Sequence, residues 1–185
     1  MNNIREHINK IIQLNENLNV KPEVELVYKQ NPELNNIGTL EQYNEYLNTI
    51  FPNSKVKDIV YHNSPNKIEK FRDTLFGTYF SYSPIQTGAH GNIIHKALLN
   101  VQNPLVKPKP EDSSEIKNVY NKDYRNYNNS TSLSPEGIPE YKYDASIETS
   151  TVTKDGVQIR VRTPEQIHIL GSKQDIQNFK NYLNK

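Results

Sequence analysis

The chain has 185 residues, and its 22 Lys and Arg residues against 21 Asp and Glu residues give a formal net charge of +1. This near-neutral charge argues against a protein that coats nucleic acid non-specifically, because such binding needs an excess of basic residues. Cys is absent, which excludes a disulfide scaffold, a thiolate nucleophile and a Cys-ligated metal site.

The first part of the sequence has the spacing of helices. Isoleucines recur on one helical face over residues 4–12. Pro22 suits the first turn of a second helix. Thr39 and Gln42 form a capping-box pattern at the start of a third helix. We therefore predict a helical N-terminal region over residues 1–52.

Signals for export and membrane insertion are not evident. Arg5 and Glu6 place charge where a signal peptide would be apolar. No apolar run approaches the roughly 20 residues that span a bilayer. We expect a soluble cytoplasmic protein without a membrane partner.

Beyond Val56 the pattern changes to short strands separated by turns. Alternating, β-branched or aromatic runs predict strands over residues 58–62, 77–81, 93–101, 145–149, 157–162 and 166–170. The alternation of the third run favours a strand, although a helix over 94–101 would also fit its apolar positions. A final helix begins after Ser172, with Phe179 on its inner face.

Residues 104–143 form the least regular part of the sequence, because prolines interrupt a stretch rich in Asn, Ser and Tyr. A short helix over residues 114–120 is the one regular element predicted there, and the remainder is predicted to be a long loop. The order of helices, then strands, then a last helix predicts an α+β fold with mostly antiparallel strands.

Common motifs for phosphate, dinucleotide and metal binding do not occur in the sequence. The five His residues have a spacing that fits no metal template, so we expect no metal site. The informative residues lie instead in three separated segments, at 60–64, 77–81 and 155–167.

In this order the three segments resemble ADP-ribosyltransferases of the diphtheria-toxin and poly(ADP-ribose) polymerase type, the H-Y-E class. The match is closest to small bacterial and phage-associated members, some of them toxin-like. Their pattern is Tyr-His-Gly-Ser, Gly-x-Tyr-Phe, Asn-Pro-Leu and Pro-x-Gln-Ile, and the last two correspond to residues 103–105 and 164–167. The resemblance covers about residues 56–183. It implies a domain over residues 56–185 with a split antiparallel β-sandwich, in which residues 104–143 form a long loop.

The resemblance also implies NAD as a substrate, held between two small sheets. His62 would hydrogen-bond a ribose hydroxyl of NAD. The backbone at Asn63 would hold the nicotinamide amide, with the Ser64 hydroxyl assisting. Tyr79 would stack on the nicotinamide ring, and His90 lies near the position of the second aromatic residue of the family.

Two positions depart from the family pattern. Asn63 replaces a glycine, and its side chain could crowd the nicotinamide. The catalytic glutamate of the family stands six residues before the proline of Pro-x-Gln-Ile, and Gln158 occupies that place here. Gln carries no charge to stabilise an oxocarbenium ion. Glu148 and Glu165 are nearby carboxylates that could substitute, although Glu165 is expected to be solvated.

The resemblance therefore implies an NAD-dependent ADP-ribosyltransferase that attaches single ADP-ribose units to a macromolecule, with a protein as the expected acceptor. His62, Tyr79 and Gln158 would form its catalytic set. One alternative is a catalytically impaired module that binds NAD, ADP-ribose or a protein partner. Another is a phage or mobile-element accessory protein without enzymatic activity. An ordinary solvent-facing strand is also compatible with Gln158.

Overall fold

A computed structural model describes residues 20–74, 77–84, 90–129, 143–150 and 156–185 of the chain, with 126–129 as backbone alone. The helices are α1 (Pro22–Gln30), α2 (Pro32–Ile37), α3 (Leu40–Thr49), α4 (Ser114–Asn129) and α5 (Lys173–Leu183). The strands are β1 (Val60–Ser64), β2 (Thr78–Phe80), β3 (Ile93–Leu99), β4 (Pro104–Val106), β5 (Ala145–Thr149), β6 (Val157–Val161) and β7 (Ile167–Ile169). The predicted α+β class is confirmed.

The described elements divide into two compact units. Helices α1, α2, α3 and α5 form one unit, and the strands with α4 form the other, between Ile50 and Ser172. The sequence division placed the final helix with the strands, whereas the structure packs it with the N-terminal helices.

The helical unit is built around a buried tyrosine. Tyr43 is fully buried, and its hydroxyl donates to a carboxylate oxygen of Asp175 at 2.5 Å. Asp175 is itself fully buried in the first turn of α5, where the helix dipole favours a negative charge. The Tyr43 ring also packs edge-on against Phe179, with 5.2 Å between centroids. These contacts explain why α5 joins this unit.

The capping box predicted at the start of the third helix forms in the structure. The backbone N–H of Thr39 donates to Gln42 Oε1 at 2.8 Å, and the backbone N–H of Gln42 donates to Thr39 Oγ1 at 3.3 Å. This reciprocal pair is the capping box that starts α3. The isoleucine pattern over residues 4–12 lies outside the described residues.

The second unit contains two sheets. One has the order β1-β3-β7, and the other has the order β2-β6-β5-β4. The β4–β5 pair is parallel, and the other pairs are antiparallel. Both sheets contribute to one apolar core, which includes Val60, Phe80, Ala97, Leu99, Ala145, Ile159, Val161 and Ile169. The strand expected over residues 93–101 is confirmed as β3, so the helical alternative is wrong.

Strands β1 and β2 belong to different sheets but meet at one point. Tyr61 N donates to Ser81 O at 2.8 Å, and Ser81 N donates to Tyr61 O at 3.1 Å. This bridge brings the sheet that contains His62 beside the sheet that contains Tyr79.

The region 104–143 is more regular than the sequence predicted. Strand β4 opens it, and α4 continues to Asn129, well past residue 120. Neither Pro nor Gly falls between residues 114 and 129 to end the helix. Tyr120 and Tyr124, one helical turn apart, pack with Leu105 and Tyr143 and so stabilise the added turns. Residues 130–142 lie outside the described part.

Within the described part of the chain, no helix combines the length and the apolar character needed to cross a membrane.

Candidate functional site

One face of the β2-β6-β5 sheet is polar. Arg160 pairs with Tyr79 on β2 and with Ser146 on β5, and Gln158 pairs with Glu148 on β5. Directly paired residues share a face, so these side chains all project to the same side of the sheet. The intervening residues of β6 point into the apolar core. Gln158 is half-buried on the polar face, where the sequence alternation placed it.

His62 lies where β1 meets β2. Its Nδ1 is 2.8 Å from the carbonyl oxygen of Tyr79. A carbonyl only accepts, so Nδ1 is the protonated nitrogen of the neutral ring. Burial lowers the pKa of His62, and the nearby charge of His90 lowers it further. The ring is therefore neutral near pH 7, which makes Nε2 an acceptor that suits a ligand hydroxyl.

Tyr79 presents an aromatic surface on the polar face of the sheet. The side chain is 37% exposed, so part of the ring is open to a planar ligand. The guanidinium carbon of Arg160 lies 5.7 Å from the ring centroid, and Arg160 Nη1 donates to the Tyr79 hydroxyl at 3.4 Å. Arg160 is only 5% exposed and thus fixes the orientation of the ring from within the protein.

Asn63 does not crowd the space around His62. It lies in the extended backbone of β1, paired with Ile94, and its side chain is buried. Its Nδ2 donates to the carbonyl of Gly91 at 3.3 Å, so the amide is directed at the neighbouring segment. Alternation along β1 places it on the face opposite His62.

Ser64 is engaged within the protein. Its hydroxyl donates to the carbonyl of Asn66, and its Oγ is 2.9 Å from His95 Nε2. A hydroxyl has one proton, so Nε2 must donate in the second contact. Both side chains are buried. The hydroxyl that the resemblance assigns to the nicotinamide amide therefore stabilises the end of β1 in this structure.

Sequence reasoning missed Gly91, which passes directly against the end of β1. Its φ is +99°, and a Cβ there would lie 2.1 Å from the carbonyl carbon of Ser64. Only glycine permits this approach. No motif marks it, because the contact depends on two segments that are distant in sequence. His90, the preceding residue, is exposed.

Glu148 is the carboxylate on the polar face of the sheet. Ser146 Oγ donates to Glu148 Oε1 at 2.6 Å, and the hydroxyl of Tyr124 donates to Oε2 at 2.9 Å. Tyr120 lies close by: burial raises the pKa of its hydroxyl, and the charge of Glu148 raises it further. The sequence named Glu148 as a substitute carboxylate but gave no sign that α4 would hold it.

Glu165 occupies a different place. It is exposed, in the 3₁₀ turn Pro164–Gln166. It lines a cavity of about 490 Å³ together with Lys70, Phe71, Arg72, Asp73 and Pro164. Its predicted exposure is confirmed. Among the described residues, no three His, Asp or Glu side chains come together as a metal ion would require.

Comparison with known proteins assigns no family to this chain. No protein-family model matches the chain, and no curated protein is significantly similar to it in sequence. A solved structure described as an anti-CRISPR protein aligns with 64% of this chain and 98% of its own, at a TM-score of 0.38 and 12% identity. A likeness of that size bears on neither fold nor function.

Proposed function

We propose that the chain is an NAD-dependent ADP-ribosyltransferase with the split sandwich of that superfamily. The observation that supports this proposal is the convergence of its three motif residues. His62 contacts the backbone of Tyr79 at the junction of the two sheets. Gln158 lies on β6, the strand that pairs with β2, and shares a face with Tyr79. A substrate bound where β1 meets β2 would lie close to His62 and to the face that carries Tyr79 and Gln158.

The side chains suit the parts of NAD that the reaction uses. His62 Nε2 would accept from a ribose hydroxyl, and the open part of the Tyr79 ring would stack on the nicotinamide. The bond between ribose C1′ and the nicotinamide nitrogen breaks, and its electron pair leaves with nicotinamide. A lone pair of the acceptor forms the new bond to C1′, and the acceptor releases its proton to solvent. The site contributes the orientation of the two reactants.

By the same resemblance, we propose that single ADP-ribose units are transferred to a protein side chain in the cytoplasm. The formal net charge of +1 gives no support to non-specific nucleic-acid binding.

A second candidate function is an NAD-binding or ADP-ribose-binding module without turnover. Two observations favour it. Gln158 has no charge, and the Ser64 hydroxyl is engaged by Asn66 and His95.

Labelled NAD distinguishes the two functions. The purified protein is incubated with NAD and a cell lysate, and both nicotinamide release and label on protein are measured. The transferase predicts both, and the binding module predicts calorimetric NAD binding with neither. His62→Ala should abolish binding in either case. His168→Ala is the matched control, because β7 is separated from β1 by β3. Absence of NAD binding by the parent chain would overturn both functions.

A further inference from the structure

Gln158 stands where the family has a charged glutamate, and it lies opposite the carboxylate Glu148 on the neighbouring strand β5. Gln158 and Glu148 are direct cross-strand partners. Residues so placed have Cβ atoms about 4.5–5.5 Å apart and project to the same side. A glutamate side chain on β5 thus reaches the space beside the Gln158 amide.

The carboxylate of Glu148 is held from two directions. Ser146 donates to one oxygen at 2.6 Å from the same strand, and Tyr124 donates to the other at 2.9 Å from α4. Each carboxylate oxygen has two acceptor sites, so each can accept one further hydrogen bond from a ligand. A group fixed in this way loses little freedom when a substrate binds.

Glu165 lacks these features. It is exposed, lies in a turn outside the strands, and faces the cavity that Lys70 and Arg72 line. Charge placed in water stabilises a developing cation far less than charge placed in a partly desolvated site.

We propose that Glu148 is a catalytic residue that supplies the negative charge missing at Gln158, with Tyr124 as its positioning residue. This inference rests on the proposed function. As the nicotinamide–ribose bond breaks and the electron pair leaves with nicotinamide, positive charge develops on the ribose. Glu148 opposes that charge and accepts a hydrogen bond from a ribose hydroxyl. The proton of the acceptor leaves to solvent, as before.

The first test is Glu148→Gln, which keeps the shape of the side chain and removes its charge. We expect nicotinamide release to fall by roughly 10²–10³-fold, with little change in NAD affinity by calorimetry. Glu165→Gln is the matched control and should keep the parental rate. If the parent chain releases no nicotinamide, the proposed function fails. If the parent is active and Glu148→Gln is equally active, only the role of Glu148 is overturned.

The second test returns the carboxylate to β6. Gln158→Glu in the Glu148→Gln background exchanges the two side chains across one strand pair. We expect this double variant to recover much of the rate lost in Glu148→Gln. A rate that stays at the level of Glu148→Gln would show that the site does not use a charge at this place and would contradict the inference.

The third test concerns Tyr124. We expect Tyr124→Phe to lower kcat by roughly tenfold, with KM little changed, because one hydrogen bond to a charged group is lost. In the Glu148→Gln background the same change should have no further effect on kcat, a coupling that a purely structural role would not produce. Tyr143→Phe is the control, since its hydroxyl donates to Asp123 at 2.6 Å instead. Equal losses from Tyr124→Phe in both backgrounds would overturn the positioning role.

Discussion

The chemistry of His62 follows from one contact and from burial. The carbonyl of Tyr79 accepts a hydrogen bond from Nδ1–H, so Nε2 carries no proton in the neutral ring. Phe71 packs edge-on against the same ring at 5.0 Å between centroids and helps to bury it. Burial disfavours the charged form, so the acceptor character of Nε2 persists near neutral pH.

The same burial predicts a pH-dependent stability. Burial lowers the pKa values of His62 and His95 below the ordinary 6.5. Between those lowered values and 6.5, the unfolded chain binds more protons than the native one. The free energy of unfolding should therefore hold its full value above pH 6.5 and fall as the pH drops through that window.

Urea unfolding at pH 7.5 and at pH 5.5 checks this expectation. The parent chain should be less stable at pH 5.5, and His95→Asn should show a smaller difference between the two conditions. A parent chain that is more stable at pH 5.5 would contradict the assignment of both rings as buried neutral histidines.

At the residue scale, sequence patterns could locate His62, Tyr79 and Gln158, because each lies in a short motif. They could not show that Glu148 pairs with Gln158, since that depends on the β5–β6 register. They also gave no sign of Gly91, whose constraint is a contact with a strand far away in the sequence.

At the scale of elements, the turn between β6 and β7 depends on Gln166. Its Oε1 accepts from the backbone N–H of Arg162 at 3.0 Å and of Thr163 at 3.1 Å. Its Nε2 donates to the carbonyls of Asn100 and Asp144, each at 3.0 Å. One amide thus ties the turn to the end of β3 and the start of β5. The resemblance supplied the Pro-x-Gln-Ile motif, and the structure gives a physical role for its Gln.

We expect Gln166→Ala to lower the free energy of unfolding by about 2–4 kcal/mol, because several backbone groups lose their partner at once. Chemical denaturation measures the change. The adjacent Glu165→Ala is the control and should stay within about 0.5 kcal/mol, as is usual for an exposed side chain. A loss for Gln166→Ala no larger than that of the control would show that the turn forms without this amide.

In the helical unit, one buried hydrogen bond has a role comparable to that of the Gln166 amide. Tyr43 donates to the buried Asp175, and the charge of that carboxylate, after burial, helps to raise the pKa of Tyr46. Tyr43→Phe should lower the free energy of unfolding by about 1.5–3 kcal/mol, since a buried carboxylate loses a donor. Tyr182→Phe serves as a control on the same unit. Equal stability of Tyr43→Phe and the parent chain would contradict the importance of this bond.

Helix α4 is longer than the local sequence pattern predicts. The predicted helix stopped near residue 120 because the following residues are strongly polar. The stacking of Tyr120 on Tyr124, with 5.5 Å between centroids, and their packing on Leu105 extend it. Tertiary packing of this kind outweighs weak intrinsic propensity. The added turns include Tyr124, whose hydroxyl donates to Glu148.

At the scale of the whole molecule, the sequence predicted the α+β class and nearly every described strand, because the apolar periodicity is clear. It did not predict the grouping of α5 with the N-terminal helices. That grouping depends on a carboxylate in α5 and a tyrosine in α3, more than a hundred residues apart, which no periodicity connects. Each unit has its own buried residues, and the candidate site lies wholly within the strand unit.

We propose that this chain transfers ADP-ribose from NAD. Mass spectrometry of a cell lysate, after incubation with the purified protein and NAD, tests it most directly. We expect a protein that carries one ADP-ribose unit and a matching release of nicotinamide, both lost in His62→Ala and kept in His168→Ala. A lysate with no modified protein and no released nicotinamide would contradict the claim.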